Sequence, residues 1–182
     1  MQEQQVIRAV AHWVDSVVVQ LNLCPFARKE LDNKRVRFAV TDAADEQGIL
    51  EDLARELEFL NDNPETETTL LICTAALSDF SAYNQFLDYT EGLLDQLALT
   101  GTYQIASFHP HYQFAGTCPD DVENYSNRSP YPIFHLLREA SLEAAIAAYP
   151  AVDEIPNRNI ALLQKLGAVH LQTLLKSCAD EC

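Results

Sequence analysis

The chain has 182 residues, 48% of them hydrophobic and 21% charged, with a formal net charge of -15. That length and composition fit a single globular domain over residues 1–182 with a sizeable core, and the charge disfavours partners rich in phosphate, nucleic acid above all. No apolar run is long enough to cross a bilayer and the opening MQEQQVIRAV lacks a signal-peptide pattern, so a soluble cytoplasmic protein with no membrane partner is expected.

In chain order, residues 4–22 repeat apolar positions at helical spacing through Ile7, Val10, Val14, Val17 and Leu21, with Val6 and Trp13 widening that face. His12 falls on the wetter side, beside Arg8 and Asp15. A short second helix is expected to start at CPFARKEL, because proline suits the first helical position. RVRFAVT (35–41) alternates, which predicts a half-buried strand near a sheet edge. A helix marked by Leu50, Leu53, Leu57 and Leu60 follows. TTLLICT (68–74) is continuously apolar and reads as a central strand. The next helix carries Phe80, Tyr83, Leu87, Leu94 and Leu97, with Ser78 as its expected N-cap and Gly101 as its terminator. TYQIASF (102–108) is the third strand. Further helices are expected from Pro132 to Ala148, from Pro156 to Leu166, and beyond Gly167. From Asp42 to Glu67 there are ten acidic residues and one base, Arg55, which reads as a solvated helix face.

Strand, helix, strand, helix, strand implies an α/β fold: a small, mainly parallel sheet of three or more strands, helices on both faces and extra C-terminal helices. Ligands of such sheets bind beyond the carboxyl ends of the strands. The third of those ends opens into SFHPHYQFAGTCPDDVENYSNRSPYPIFH. This stretch holds three of the five histidines, three of the seven tyrosines and four of the eight prolines. A long connection of this kind in a compact domain is usually functional or disordered, and its aromatic and proline content favours order.

Several chemistries are open to this stretch. His109 and His111 are two apart around Pro110, so an extended backbone turns both rings to one side. With Asp120 they make an alternative transition-metal set, although the spacing matches no zinc signature. Asp120 and Asp121 are equally ordinary turn residues. His135 and Arg138, three apart on the expected helix, would share a face near its first turn, where an anion is favoured. Arg128 and Arg158 could join them, since guanidinium groups grip carboxylate or phosphate by paired hydrogen bonds. Structural salt bridges are the competing use for each arginine.

The five cysteines, Cys24, Cys73, Cys118, Cys178 and Cys182, include no CxxC pair, and no disulfide framework is expected. Cys73 belongs to the apolar run LLIC, while Cys178 and Cys182 fall on a tail expected to fray. Cys24 has two readings. Ahead of a helix starting at Pro25, its thiolate is favoured by the helix dipole; at the end of the first helix it is inert.

The segments LNLCPFA, SFHPHYQFA, NYSNRSPYPIFHLLREA and IPNRNI resemble a bacterial family catalogued only as a domain of unknown function, over nearly the whole chain. That resemblance brings no activity or cofactor with it. It implies that Cys24, His109, Tyr112, Asp120, Asp121, Asn124, Arg128, Tyr131, His135, Arg138, Arg158 and Asn159 are the residues to follow. His111 and Cys118 fall outside the family pattern, which weakens a metal site that needs both.

Three functions follow from the residues. The first is an enzyme acting on a small anionic substrate. Cys24 and His109 would be its nucleophile and base, Asp120 or Asp121 would assist, and Tyr112, Asn124, Arg128, Tyr131, His135, Arg138 and Arg158 would bind. The second is a transition-metal protein using His109, His111 and carboxylates. The third is a non-catalytic binding or scaffold protein in which the loop residues satisfy one another. The isolated glycines form neither a GxGxxG nor a P-loop, so the sequence specifies no nucleotide cofactor, and the oligomeric state is open.

Overall fold

The computed structural model describes residues 3–180, which leaves Cys182 outside the described residues. Helix α1 (Glu3–Trp13) runs without a break into a π-helical segment, Val14–Val19. This widening of the helix lets Val17, Val18 and Val19 all be buried, which a regular α-helix of one apolar stripe would not allow. A turn containing Cys24 leads to the short α2 (Ala27–Asp32). Then come β1 (Val36–Thr41), α3 (Glu46–Asp62), β2 (Thr68–Cys73), α4 (Phe80–Gln96) and β3 (Tyr103–Phe108). The cap of α4 is Asp79, whose carboxylate accepts from Ala82 N–H, rather than Ser78. The same helix ends at Gln96, before the expected Gly101, through a left-handed Ala98.

The main departure from expectation follows the long loop. IFHLLR was predicted as the start of a helix over Pro132–Ala148; Ile133–Arg138 is instead strand β4, and only Glu139–Ala148 is helical, as α5. The sheet order is β1-β2-β4-β3. Strand β1 pairs with β2 in parallel, whereas β4 pairs antiparallel with both β2 and β3. The sheet is therefore not mainly parallel. The three strands read from the sequence do share one direction, but β4 slots between two of them in reverse. Helical propensity gives way here because a central strand position buries both faces of an apolar run.

Alternation along the strands divides the core in two. Val36, Phe38, Val40, Leu70, Ile72, Phe108 and Ile133 face a layer built from α1, the π segment, α6 (Ile155–Leu166) and α7 (Ala168–Asp180). Ala39, Leu71, Cys73, Tyr103, Phe134 and Leu136 face α3 and α4. Helices thus cover both faces, C-terminal ones included. Cys178 does not fray: it is fully buried on α7, with its sulfur 3.4 Å from Ser16 Oγ. No described helix is long and apolar enough to cross a membrane.

Candidate functional site

The long loop begins where β3 ends and finishes where β4 starts, with Phe108 paired to Ile133. It is the connection of a wide hairpin, standing at the end of the sheet where β1 and β2 also finish. Its own polar groups hold it together. Asn124, fully buried, accepts from Phe114 N–H at 3.0 Å and Thr117 Oγ at 2.9 Å, and donates to the Cys118 carbonyl at 2.8 Å. Asp121 accepts from Cys118 N–H at 2.7 Å, an ordinary turn bond, and Asp120 is exposed. Arg128 donates to the carbonyls of Tyr112 and Pro119 and lies over the Tyr125 ring at 4.5 Å. Tyr112 packs its ring on Phe80 and Phe114, and Tyr131 is half-buried against the α1 and α6 layer.

His109 is buried with both ring nitrogens engaged. Nδ1 accepts from His111 N–H at 3.0 Å, so Nε2 carries the proton and donates to the Leu77 carbonyl, also at 3.0 Å. Burial lowers its pKa, which keeps the ring neutral. Its neighbours are Phe80 and Tyr83, on the α4 side of the sheet. Cys24 belongs to the opposite face, packed with Val18 and Phe108. The expected pairing of Cys24 with His109 is therefore not formed, because the sheet stands between them. His111 is exposed, and no group of three or more His, Cys, Asp or Glu among the described residues is placed to hold a metal. The alternative set of His109, His111 and Asp120 fails because His109 has no free lone pair to give.

The arginines do not converge either. On a strand, residues three apart face opposite sides, so His135 and Arg138 separate. Arg138 turns to the α3 side, donating to Tyr103 Oη at 2.9 Å and to the carbonyls of Leu60, Asn63 and Thr66. It closes the carboxyl end of α3, where carbonyls lack helical partners. Arg158 donates to the Asn22 carbonyl at 2.7 Å and to Tyr149 Oη at 3.2 Å. The expected anion pocket is thus replaced by three arginines bonded to backbone carbonyls.

These bonds define what the structure does bring together. Asn159 donates to the Leu23 carbonyl at 2.8 Å, next to the Arg158 bond to Asn22. Two segments 136 residues apart, IPNRNI and LNLCPFA, are clamped to each other. The clamp fixes the turn that carries Cys24, in which Asn22 adopts φ of 53°. Burial pushes the Cys24 thiol up, although N–H groups of Phe26 and Ala27 approach the sulfur and oppose the shift. Neither sequence reading holds as made: the helix starts at Ala27 rather than Pro25, which leaves Cys24 in the turn before it, and desolvation keeps the thiol neutral. Alkylation by iodoacetamide at mildly alkaline pH is expected to label the exposed Cys118 well before Cys24, as peptide mass mapping would record. Equal rates would contradict the buried, neutral thiol.

Two cavities meet at this turn. The larger, about 500 Å³, lies between the loop and α6 and is lined by Leu23, Phe114, Ser126, Asn127, Ile160 and Leu163 among others. The smaller, about 290 Å³, lies between the sheet and the helical segment running from Trp13 through α2, with α5 at its side. Val18, Cys24 and Phe108 line both. The smaller cavity is apolar except at a few points. Trp13, 1% exposed, lines it, and its indole nitrogen is buried with no hydrogen-bond partner among the described residues. His135 lines it too, with Nε2 equally buried and unpartnered. Burial lowers the His135 pKa to about 4, so the ring is neutral. Glu30 and Glu67 also line this cavity and share one base, Arg35, which lies 3.4 Å from Glu30.

A family model described as a protein of unknown function (DUF1415) matches residues 5–173. The chain belongs to this family. No curated protein and no solved structure matches it.

Within this DUF1415 chain, the segments expected to matter cluster differently from the expectation. Cys24, His135 and Arg138 all line the smaller cavity, and Arg158 and Asn159 hold the turn that carries Cys24. His109, Tyr112, Asn124 and Arg128 organise the loop. Trp13, Val18 and Phe108 were not singled out from sequence. Trp13 fits the apolar helical stripe, and only its unpartnered indole N–H distinguishes it from an ordinary core residue.

Proposed function

We propose that this protein binds a small, mostly apolar, uncharged molecule in the cavity bounded by Trp13 and His135. One observation carries this reading: Trp13 and His135, which line the same apolar cavity, each hold a buried ring nitrogen without a hydrogen-bond partner among the described residues. A buried donor or acceptor left unbonded costs about 1–3 kcal/mol, and such groups in native proteins ask for an explanation. A ligand hydroxyl or carbonyl answers it, by accepting from the Trp13 indole and exchanging a bond with His135. Mostly apolar walls with a few fixed polar groups are the usual make-up of small-molecule sites, and π-helical segments are frequent at functional sites.

An anionic ligand fits less well than the sequence led us to expect. Arg128, Arg138 and Arg158 are bonded to carbonyls, and the charged residues lining the cavity are Glu30, Glu67 and Arg138, whose guanidinium is already committed to carbonyls and Tyr103. The reading is of binding, without Cys24–His109 chemistry. Trp13 is the sole tryptophan, so its emission reports on this cavity alone. Octanol is expected to shift and saturate that emission, while octanoate at equal concentration leaves it unchanged. A flat octanol titration would remove the support for a ligand site.

A further inference from the structure

We propose that the ligand is elongated, with its polar end at Trp13 and His135 and its apolar chain passing Cys24 into the larger cavity. This rests on the reading that the smaller cavity takes a ligand, and it adds the shape and class: a long-chain aliphatic molecule ending in an uncharged polar group.

The two cavities differ in what they leave unsatisfied. In the smaller, the Trp13 and His135 nitrogens lack partners. In the larger, Glu123 is the one charged residue in the lining, and the neutral polar side chains of the loop and α6 are already bonded: Asn127 donates to Ser107, Thr117 to Phe114 and Asn124, and Asn159 to Leu23. The first therefore selects a polar group, and the second offers apolar contact from Leu23, Phe108, Ile160 and Leu163. Their junction is built rather than accidental. It consists of Val18 from the π segment, Phe108 from the end of β3 and Cys24. Arg158 and Asn159 hold the Cys24 turn in place. A neutral cysteine is a small, unbranched apolar side chain, and a methylene chain can lie against it without desolvating a charge.

The test is binding of hexanol, octanol and decanol to the full chain, followed by calorimetry and by Trp13 emission. Kd is expected to fall about fourfold for each added methylene across the series, as continued burial of chain requires. Cys24→Phe, which closes the junction, is expected to abolish the gain from hexanol to decanol. Ile160→Phe narrows the larger cavity from the α6 side and is expected to weaken decanol more than hexanol. Should either variant fail to fold, the wild-type series decides alone. Equal affinities of octanol and decanol would overturn the elongated ligand while leaving a ligand site in the smaller cavity. An undiminished chain-length gain in folded Cys24→Phe would do the same. Absence of binding by any of the alcohols would overturn both.

Discussion

Arg138→Ala is expected to lower the unfolding free energy by about 2–4 kcal/mol, because several partly buried acceptors lose one shared donor. The guanidinium joins the end of β4 to three carbonyls at the end of α3 and in the turn after it, and to Tyr103 Oη. Alanine leaves those carbonyls half-buried without a donor, and each such group costs about 1–3 kcal/mol. Lysine is not expected to rescue, because a single ammonium cannot reproduce the planar fork. Urea unfolding followed by circular dichroism measures the loss. A change below about 1 kcal/mol would contradict the structural role assigned to Arg138. A substrate-binding arginine would behave differently, since its removal would impair ligand binding and leave the folded protein as stable as before.

His135→Leu carries the opposite sign. An unpartnered buried imidazole opposes folding, and leucine of similar volume removes that cost, so the free protein is expected to gain about 1–2 kcal/mol. Octanol binding is expected to weaken at the same time. The pH dependence follows from the lowered pKa. Above the ordinary histidine value both folded and unfolded chains hold the ring neutral. As pH falls below that value, the unfolded chain takes up a proton that the folded ring refuses until about pH 4. Stability is therefore full at neutral pH and declines across that window, by at most about 1.4 kcal/mol per pH unit from this group. His109 shifts in the same direction, so the His135 contribution is the difference in slope between wild type and His135→Leu. A variant less stable than wild type at neutral pH, with an unaltered acid slope, would show that His135 has a structural partner after all.

Much of the architecture was legible in the residues. The edge character of RVRFAVT, the central position of TTLLICT and the helix over Leu53, Leu57 and Leu60 follow from period and burial. The Pro156–Leu166 helix and the break at Gly167 were legible too. What could not be read was β4. IFHLLR has apolar residues that suit either period, and its sheet position is set by partners far along the chain: His135 pairs with Leu70 on one side and Ala106 on the other. A helix over IFHLLR would have put His135 and Arg138 on one face. As strand residues they serve opposite layers. The loop was rightly placed at the carboxyl end of β3, yet its histidines and arginines turn inward onto carbonyls. Side-chain type shows what a residue can bond; only the fold shows which of those bonds are already made.

The central claim is that the Trp13 indole N–H awaits a ligand acceptor. A proton–nitrogen correlation spectrum of the labelled chain contains one tryptophan indole peak, because there is one tryptophan. In the free protein that peak is expected at the upfield position of an unbonded N–H, protected from exchange by burial. Addition of octanol is expected to move it downfield as the hydroxyl accepts its hydrogen bond. An indole peak already downfield in the free protein, and unmoved by octanol, would contradict the ligand site.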